Sequence, residues 1–284
     1  MSERTAFKVI DTHVHVWALD DRSGHRPDPN SRISIPKAAV PVEWLIQDME
    51  QHDIAGCVLV QSSAFGWDNR YLVESLERYP GRFRAIGLVD PLDRDNARSL
   101  VDWMKRGLSG FRLHPLYFED PSWVDAEAND ALWDAAAGTG AILQFHMRPE
   151  HAAAVGRMKE RHPQVRVVID HLGKPDVLEA APYPSYQGVL RLAELPDVWV
   201  KIGDYQIASQ QSFPWHDTWP FITLLKEAFG PHRMLWGTGY AGSARLVPIE
   251  QALEYVEEQL PLTESERRTI LWHAPARLFG FAGA

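Results

Sequence analysis

Short apolar runs rich in β-branched residues alternate about eight times along this chain with segments of helical periodicity. That alternation restricts the fold more than any other feature. The runs predict strands over Phe7–Asp11, Gly56–Gln61, Phe83–Val89, Ser109–Leu113, Ala141–Phe145, Val165–Asp170, Val198–Ile202 and Arg233–Gly237. Between them the spacing predicts helices over Val42–His52, Arg70–Tyr79, Ala97–Arg106, Asn129–Ala137, Glu150–Arg161, Tyr186–Leu195, Trp219–Phe229 and Ile249–Gln259. Runs such as Val165-Arg-Val-Val-Ile-Asp170 are apolar almost throughout, as strands of parallel sheets are when both faces are covered. The 284 residues suit a closed barrel, whose usual length is about 250. An open, doubly wound sheet is the alternative, but no glycine-rich phosphate loop follows the first strand. The expected fold is α/β: a single-domain (β/α)8 (TIM) barrel over residues 1–284.

Composition narrows the function. Hydrophobic residues are 45% and charged residues 24%, values that allow a sizeable core. A net charge of -9 argues against a nucleic-acid partner, though not against a small anionic substrate held by a few buried cations. Cys57, the single cysteine, sits in Gly56-Cys-Val-Leu-Val60 and is expected in the core. No stretch approaches the roughly 20 apolar residues of a membrane span, and the N-terminus has no apolar signal region. The expectations are therefore no membrane partner and a cytoplasmic location. Eleven tryptophans leave a homo-oligomer open. The irregular stretch Asp20–Val40 is either a solvated loop or a long first loop over the barrel mouth, and the proline-bearing stretch Gly173–Ser185 suggests a fixed loop shape.

Barrel active sites lie at the C-terminal ends of the strands. The first strand ends in Ile10-Asp-Thr-His-Val-His-Val-Trp17. His13 and His15, two apart on an extended chain, point to the same side, where two imidazoles can share a metal ion or a substrate. Two further runs also end on histidine: Ile142-Leu-Gln-Phe-His146 and Val168-Ile-Asp-His171. His114, beside Pro115, can equally begin a loop. Arg112 and Arg148 are candidate carboxylate-binding forks, each with a structural salt bridge as its alternative. Gln61 and Ser62 can hydrogen-bond a carbonyl. Lys201 lies within the seventh strand, and its direction stays open.

Taken together, Asp11-Thr-His-Val-His-Val-Trp17, Tyr79-Pro-Gly-Arg-Phe-Arg84, Val89-Asp-Pro91, Gly110-Phe-Arg-Leu113, Asp170-His-Leu-Gly-Lys-Pro175, Trp199-Val-Lys-Ile202 and Leu235-Trp-Gly-Thr238 resemble the amidohydrolase-related family. The branch they resemble is that of the sugar-lactone and 2-pyrone-4,6-dicarboxylate lactonases. The resemblance runs in order along nearly the whole chain. It implies a distorted barrel that hydrolyses a lactone or a related bond in a small-molecule substrate, with His13, His15 and His171 as catalytic residues. Some members hold one divalent metal, often zinc, and here the matching ligands would be His13, His15 and His146. The pyrone lactonase branch works without metal, so both states stay open.

The family carries an aspartate at the end of strand eight, which takes the proton of the attacking water. Here the sequence is Trp236-Gly-Thr-Gly-Tyr-Ala241, and Gly239 stands in its place. Tyr240 beside it is a substrate-binding candidate. Three explanations compete: an altered position that traps substrate, a natural variant whose base is Asp204, or a protein that binds without catalysis. The leading expectation is hydrolysis of a small, carboxylate-bearing lactone. The alternatives are a metal-dependent decarboxylase or hydratase of an unsaturated or aromatic acid, and a non-catalytic binder.

Overall fold

Eight parallel strands follow one another in chain order around a barrel: β1 (Val9–Val14), β2 (Ile54–Val60), β3 (Phe83–Leu88), β4 (Gly110–Leu113), β5 (Ile142–Phe145), β6 (Arg166–Ile169), β7 (Val198–Gly203) and β8 (Met234–Gly237). The structure is a computed structural model and describes residues 8–20, 24–31, 33–240 and 247–282. Phe7, the expected start of the first strand, lies outside the described residues, as do 21–23 and 32 of the first loop and Ala241 of the last motif. The barrel closes where Gly239 N–H donates to the His13 carbonyl and His15 N–H to the Tyr240 carbonyl, both at 2.9 Å.

Alternation along the strands sorts the core into two parts. On β2, Cys57 and Leu59 face the outer core shared with the helices. Val58 and Val60 belong to an inner cluster with Ile10, Ile86, Ile142, Val168 and Leu235. The C-terminal segment closes this cluster from the far end with Trp272, Phe279 and Phe281. Gly56 is required there, because a Cβ would lie 2.6 Å from the Phe281 ring. Cys57 is fully buried, and burial pushes its thiol pKa up, as suits a core residue. One end of the barrel is thus sealed with apolar side chains, which leaves the C-terminal ends of the strands as the open mouth.

The helices are α1 (Val42–Gln51), α2 (Arg70–Arg78), α3 (Asn96–Lys105), α4 (Asp130–Thr139), α5 (Ala152–Arg161), α6 (Gln187–Arg191), α7 (Tyr205–Ala208), α8 (Trp219–Phe229), α9 (Ile249–Glu254), α10 (Glu264–Arg268) and α11 (Ala274–Phe279). Expectation and structure differ in several places, among them the unread helices α7 and α11. The helix expected over Tyr186–Leu195 is regular only over Gln187–Arg191, with a tight turn at each end. The first strand runs three residues further than its apolar run, so Thr12 and His13 lie within it. Helix α10 went unread in the sequence although Thr263-Glu-Ser-Glu266 is a capping box: Glu266 N–H donates to Thr263 Oγ1 at 3.3 Å and Thr263 N–H to Glu266 Oε2 at 2.7 Å. Among the described residues no helix is long and apolar enough to cross a membrane.

Candidate active site

The mouth holds a pocket of about 390 Å³. Its polar wall comes from successive strand ends: His15 after β1, Ser62 and Ser63 after β2, Arg112 on β4, His146 after β5, His171 and Lys174 after β6, Asp204 after β7 and Gly239 after β8. This volume suits a small molecule.

The residues after β6 are placed by an unusual backbone. His171, Leu172, Gly173 and Lys174 have φ of 50°, 58°, 68° and 54°, one left-handed turn. Each non-glycine residue in that region costs about 1–2 kcal/mol. The turn is held by Gly173 N–H to the Asp170 carbonyl at 2.8 Å, Lys174 N–H to the His171 carbonyl at 2.9 Å, and the Tyr186 hydroxyl donating to the Leu172 carbonyl. Its effect is to bring both His171 and Lys174 to the pocket wall. Asp204 is also left-handed, at φ 55°. Strain of this kind gathers where function over-determines geometry.

Beneath the wall lies a buried charge cluster. Asp170 Oδ2 accepts from Arg112 Nε at 2.6 Å and from Gln144 Nε2 at 3.0 Å. Asp170 Oδ1 has no hydrogen-bond partner and lies 3.6 Å from both Lys201 Nζ and His13 Nδ1. Burial alone would raise the Asp170 pKa, but Arg112 and Lys201 together hold it well below the usual carboxylate range. Lys201 does point into the barrel. Its Nζ is 2.7 Å from the Thr12 carbonyl, 2.8 Å from Gln144 Oε1 and 3.3 Å from His13 Nδ1. An ammonium has three protons, and here it has three acceptors. Burial, countered in part by Asp170, lowers its pKa to about 8.

These contacts decide the direction of each imidazole bond. Arg112 can only donate, so His171 Nε2, 2.9 Å from Arg112 Nη2, is an acceptor. His171 Nδ1–H therefore donates to Asp204 Oδ2 at 3.0 Å. His15 Nδ1 lies 2.7 Å from the Val60 carbonyl and must donate, which leaves its Nε2 as an acceptor. With Lys201 donating to His13 Nδ1, His13 carries its proton on Nε2 and gives it to His15 Nε2 at 3.2 Å. Burial, reinforced for His15 by Arg112, lowers the His15 and His171 pKa values to about 4, so both rings are neutral at pH 7. Burial, with Lys201 adding to it, lowers His13 as well.

The sequence candidates fare unequally. His15, Arg112, Ser62, His146, His171, Asp204 and Gly239 meet around one pocket. His13 does not line it and sits under His15 as a partner. Gln61 is turned to structural work: its amide donates to the Asp68 carbonyl and accepts from Ser62 N–H at 3.0 Å, which pins the loop after β2. Tyr240 is drawn away from the pocket, its hydroxyl donating to Asp48 Oδ2 on α1 at 2.8 Å. Arg148 is 60% exposed and lies 3.8 Å from Glu150, because it follows the end of β5 into a surface turn. The pocket cation that sequence reasoning did not single out is Lys174; its signal was the Asp-His-Leu-Gly-Lys run, whose left-handed turn no residue pattern announces.

The expected ligand trio His13, His15 and His146 does not converge. His146 Nδ1 instead faces His114 Nδ1 at 3.2 Å, and His114 Nε2 lies 3.3 Å from Ser63 Oγ. Among the described residues, the group whose ligand atoms all lie within 4.8 Å of one another is His13, Asp170 and His171. That set does not fit a divalent ion. Both His171 nitrogens are engaged, Asp170 is paired with Arg112, and the Lys201 ammonium already lies beside His13 and Asp170. A cation there would meet two fixed positive charges.

A polar mouth assembled from many strand ends of a (β/α)8 barrel is the arrangement of barrel enzymes. The chain belongs to the amidohydrolase family, whose model matches residues 10–281. It is 27% identical over 277 residues to a 4-sulfomuconolactone hydrolase of Hydrogenophaga intermedia, covering 95% of this chain and 88% of that one. It is 24% identical over 237 residues to an L-fucono-1,5-lactonase of Burkholderia ambifaria, covering 81% and 79%. Its fold matches a probable 2-pyrone-4,6-dicarboxylic acid hydrolase from Acinetobacter baumannii, solved with citric acid bound, at a TM-score of 0.84 and 23% identity over 97% of this chain and all 100% of that one. It also matches an amidohydrolase from Burkholderia multivorans, solved with zinc bound, at a TM-score of 0.78 and 19% identity over 97% and 100%.

Proposed function

We propose that this protein hydrolyses the ring ester of a small, carboxylate-bearing lactone, and does so without a metal. The observation that carries the proposal is the Asp204–His171–Arg112 chain at the pocket wall, with bonds of 3.0 and 2.9 Å. The named lactone hydrolases among its relatives supply the substrate class.

Asp204 is the base. It takes a proton from water, and the resulting hydroxide attacks the ring carbonyl carbon. Arg112 commits Nε to Asp170 and one Nη2 proton to His171, so its remaining N–H groups are available to the developing oxyanion. The tetrahedral intermediate collapses, the ring C–O bond breaks, and protonated Asp204 returns its proton to the leaving oxygen. His171 orients Asp204 through Nδ1–H, and Lys174 binds the substrate carboxylate as a point charge. His13, His15 and Lys201 fix the floor beneath. Gly239, after the neighbouring strand β8, leaves the wall beside Asp204 without a side chain.

The test is ring opening across a panel of carboxylate-bearing lactones, with protein dialysed against a chelator, and with Asp204→Asn. Turnover should survive chelation, and Asp204→Asn should lower kcat about 100-fold or more. Activity lost on chelation and restored by zinc would overturn the metal-free mechanism. No turnover on any lactone would overturn the function.

A further inference from the structure

A second cavity of about 160 Å³ lies beside the first and shares Ser63 and Tyr117 with it. Tyr117 stacks flat on His114, with centroids 4.9 Å apart and planes 9° from parallel, and so forms part of the partition. The character of the two spaces differs. The first carries histidines and cations, with Trp17, Ile33 and Ile207 on its apolar side. The second sets the large apolar or aromatic side chains of Trp67, Leu88, Leu92, Tyr117 and Phe118 beside the polar Asn30, Ser31, Ser63 and His114. Trp67 and Leu92 are 43% and 59% exposed, large apolar side chains held at the rim of a cavity rather than scattered over the surface. The one carboxylate among its described lining residues is Asp90, which accepts from Leu92 N–H at 2.9 Å and so faces its own loop.

We infer that this cavity binds an uncharged aromatic or branched-alkyl substituent of the substrate while the lactone ring sits in the polar pocket. The inference rests on the lactonase proposal for the reacting group. The size is apt, since an apolar cavity of about 150 Å³ accepts a benzene ring. The charge is apt too. A second carboxylate on the substrate would find no cation among the described lining residues, so the apolar side chains favour an anionic ring with an apolar arm.

The experiment compares kcat/KM for three lactone acids that differ only in one substituent: methyl, phenyl or carboxylate. Phenyl should exceed methyl by at least about tenfold, because even small apolar groups discriminate by that factor in such pockets. Carboxylate should fall below methyl. Trp67→Ala, a change at the rim and away from the reacting groups, should remove most of the phenyl advantage, lowering kcat/KM for the phenyl substrate several-fold more than for the methyl one. Equal rates for phenyl and methyl, a preference for carboxylate, or an equal loss on both substrates in Trp67→Ala would overturn the inference. A soak of crystals with bromobenzene keeps the cavity testable on its own: anomalous bromine signal is expected between Trp67 and Phe118. If no lactone is turned over, the lactonase proposal fails and the soak alone decides the cavity. If bromine is absent there, the cavity inference fails whatever the enzyme hydrolyses.

Discussion

Arg112 Nη2 donates to His171 Nε2 at 2.9 Å, and that single bond fixes the proton of His171 on the nitrogen that faces Asp204. The same guanidinium binds Asp170 through Nε at 2.6 Å. One side chain therefore neutralises a buried carboxylate, sets a tautomer and presents donors to the pocket.

Arg112→Lys separates those duties. Lysine keeps a charge for Asp170 but lacks the planar fork. Loss of an oxyanion donor costs about 100- to 1,000-fold in kcat. Steady-state kinetics should show that loss in kcat, with a smaller change in KM because Lys174 still holds the substrate carboxylate. Arg112→Met should in addition cost about 3–5 kcal/mol in urea unfolding, since it strips Asp170 of its main partner. An Arg112→Lys variant with full kcat would remove Arg112 from the chemistry.

Lys201→Met tests the direction of the histidine bonds. It takes donors from the Thr12 carbonyl, Gln144 Oε1 and His13 Nδ1 together. Each buried acceptor left unpaired costs about 1–3 kcal/mol, so a loss of at least about 3 kcal/mol is expected. The more telling readout is nitrogen NMR of His13. Its proton should move from Nε2 to Nδ1, toward Asp170 Oδ1, once the ammonium is gone. A His13 ring protonated on Nδ1 in the unaltered protein would mean that Lys201 does not donate to it.

Stability should fall on mild acidification. His15 and His171 titrate at about 4 in the folded chain against 6.5 otherwise. Between those values the unfolded chain binds more protons than the native one. Their contribution is complete above about pH 6.5 and is lost as pH falls through 4. Asp11 acts in the opposite sense, because burial, only partly offset by its bonds to Thr238 and His13, raises it from 3.8 to about 6. One carboxylate does not cancel two imidazoles, and burial lowers His13, His114 and His146 in the same direction. Unfolding free energies from urea titrations at pH 7 and pH 4.5 should differ by on the order of 3 kcal/mol in favour of pH 7. A flat profile would mean that these rings are more hydrated than their burial implies.

The barrel was legible because strand and helix periods alternate, and the histidines were legible because they end apolar runs. Both are local signals. What was hidden is what one strand places opposite another. Arg112 and Arg148 read alike in sequence, each close to a strand's end. Arg112 meets Asp170, 58 residues away, and is buried; Arg148 follows its strand out to solvent. His13 and His15 were rightly placed on one side of β1, but nothing in their spacing told that Lys201, from β7, stands beneath them. Lys174 was hidden for a different reason: four successive left-handed residues bring it to the pocket, and only the Gly173 position suits that conformation by residue type.

Gly239 gives the sharpest test of where the base resides. It lines the same pocket as Asp204, and its φ of 68° is one that aspartate tolerates better than most residues, at a cost of about 1 kcal/mol. If Asp204 is the base, Gly239→Asp alone should not raise kcat, because a competent carboxylate is already present and a second one adds repulsion to the anionic substrate. In an Asp204→Asn background, whose kcat is expected to be about 100-fold down, the same substitution should recover at least part of the loss by supplying a carboxylate from the neighbouring strand end. Single and double variants measured side by side separate the possibilities. A large gain from Gly239→Asp in the otherwise unaltered chain would mean that the chain lacks its base and that Asp204 only orients His171.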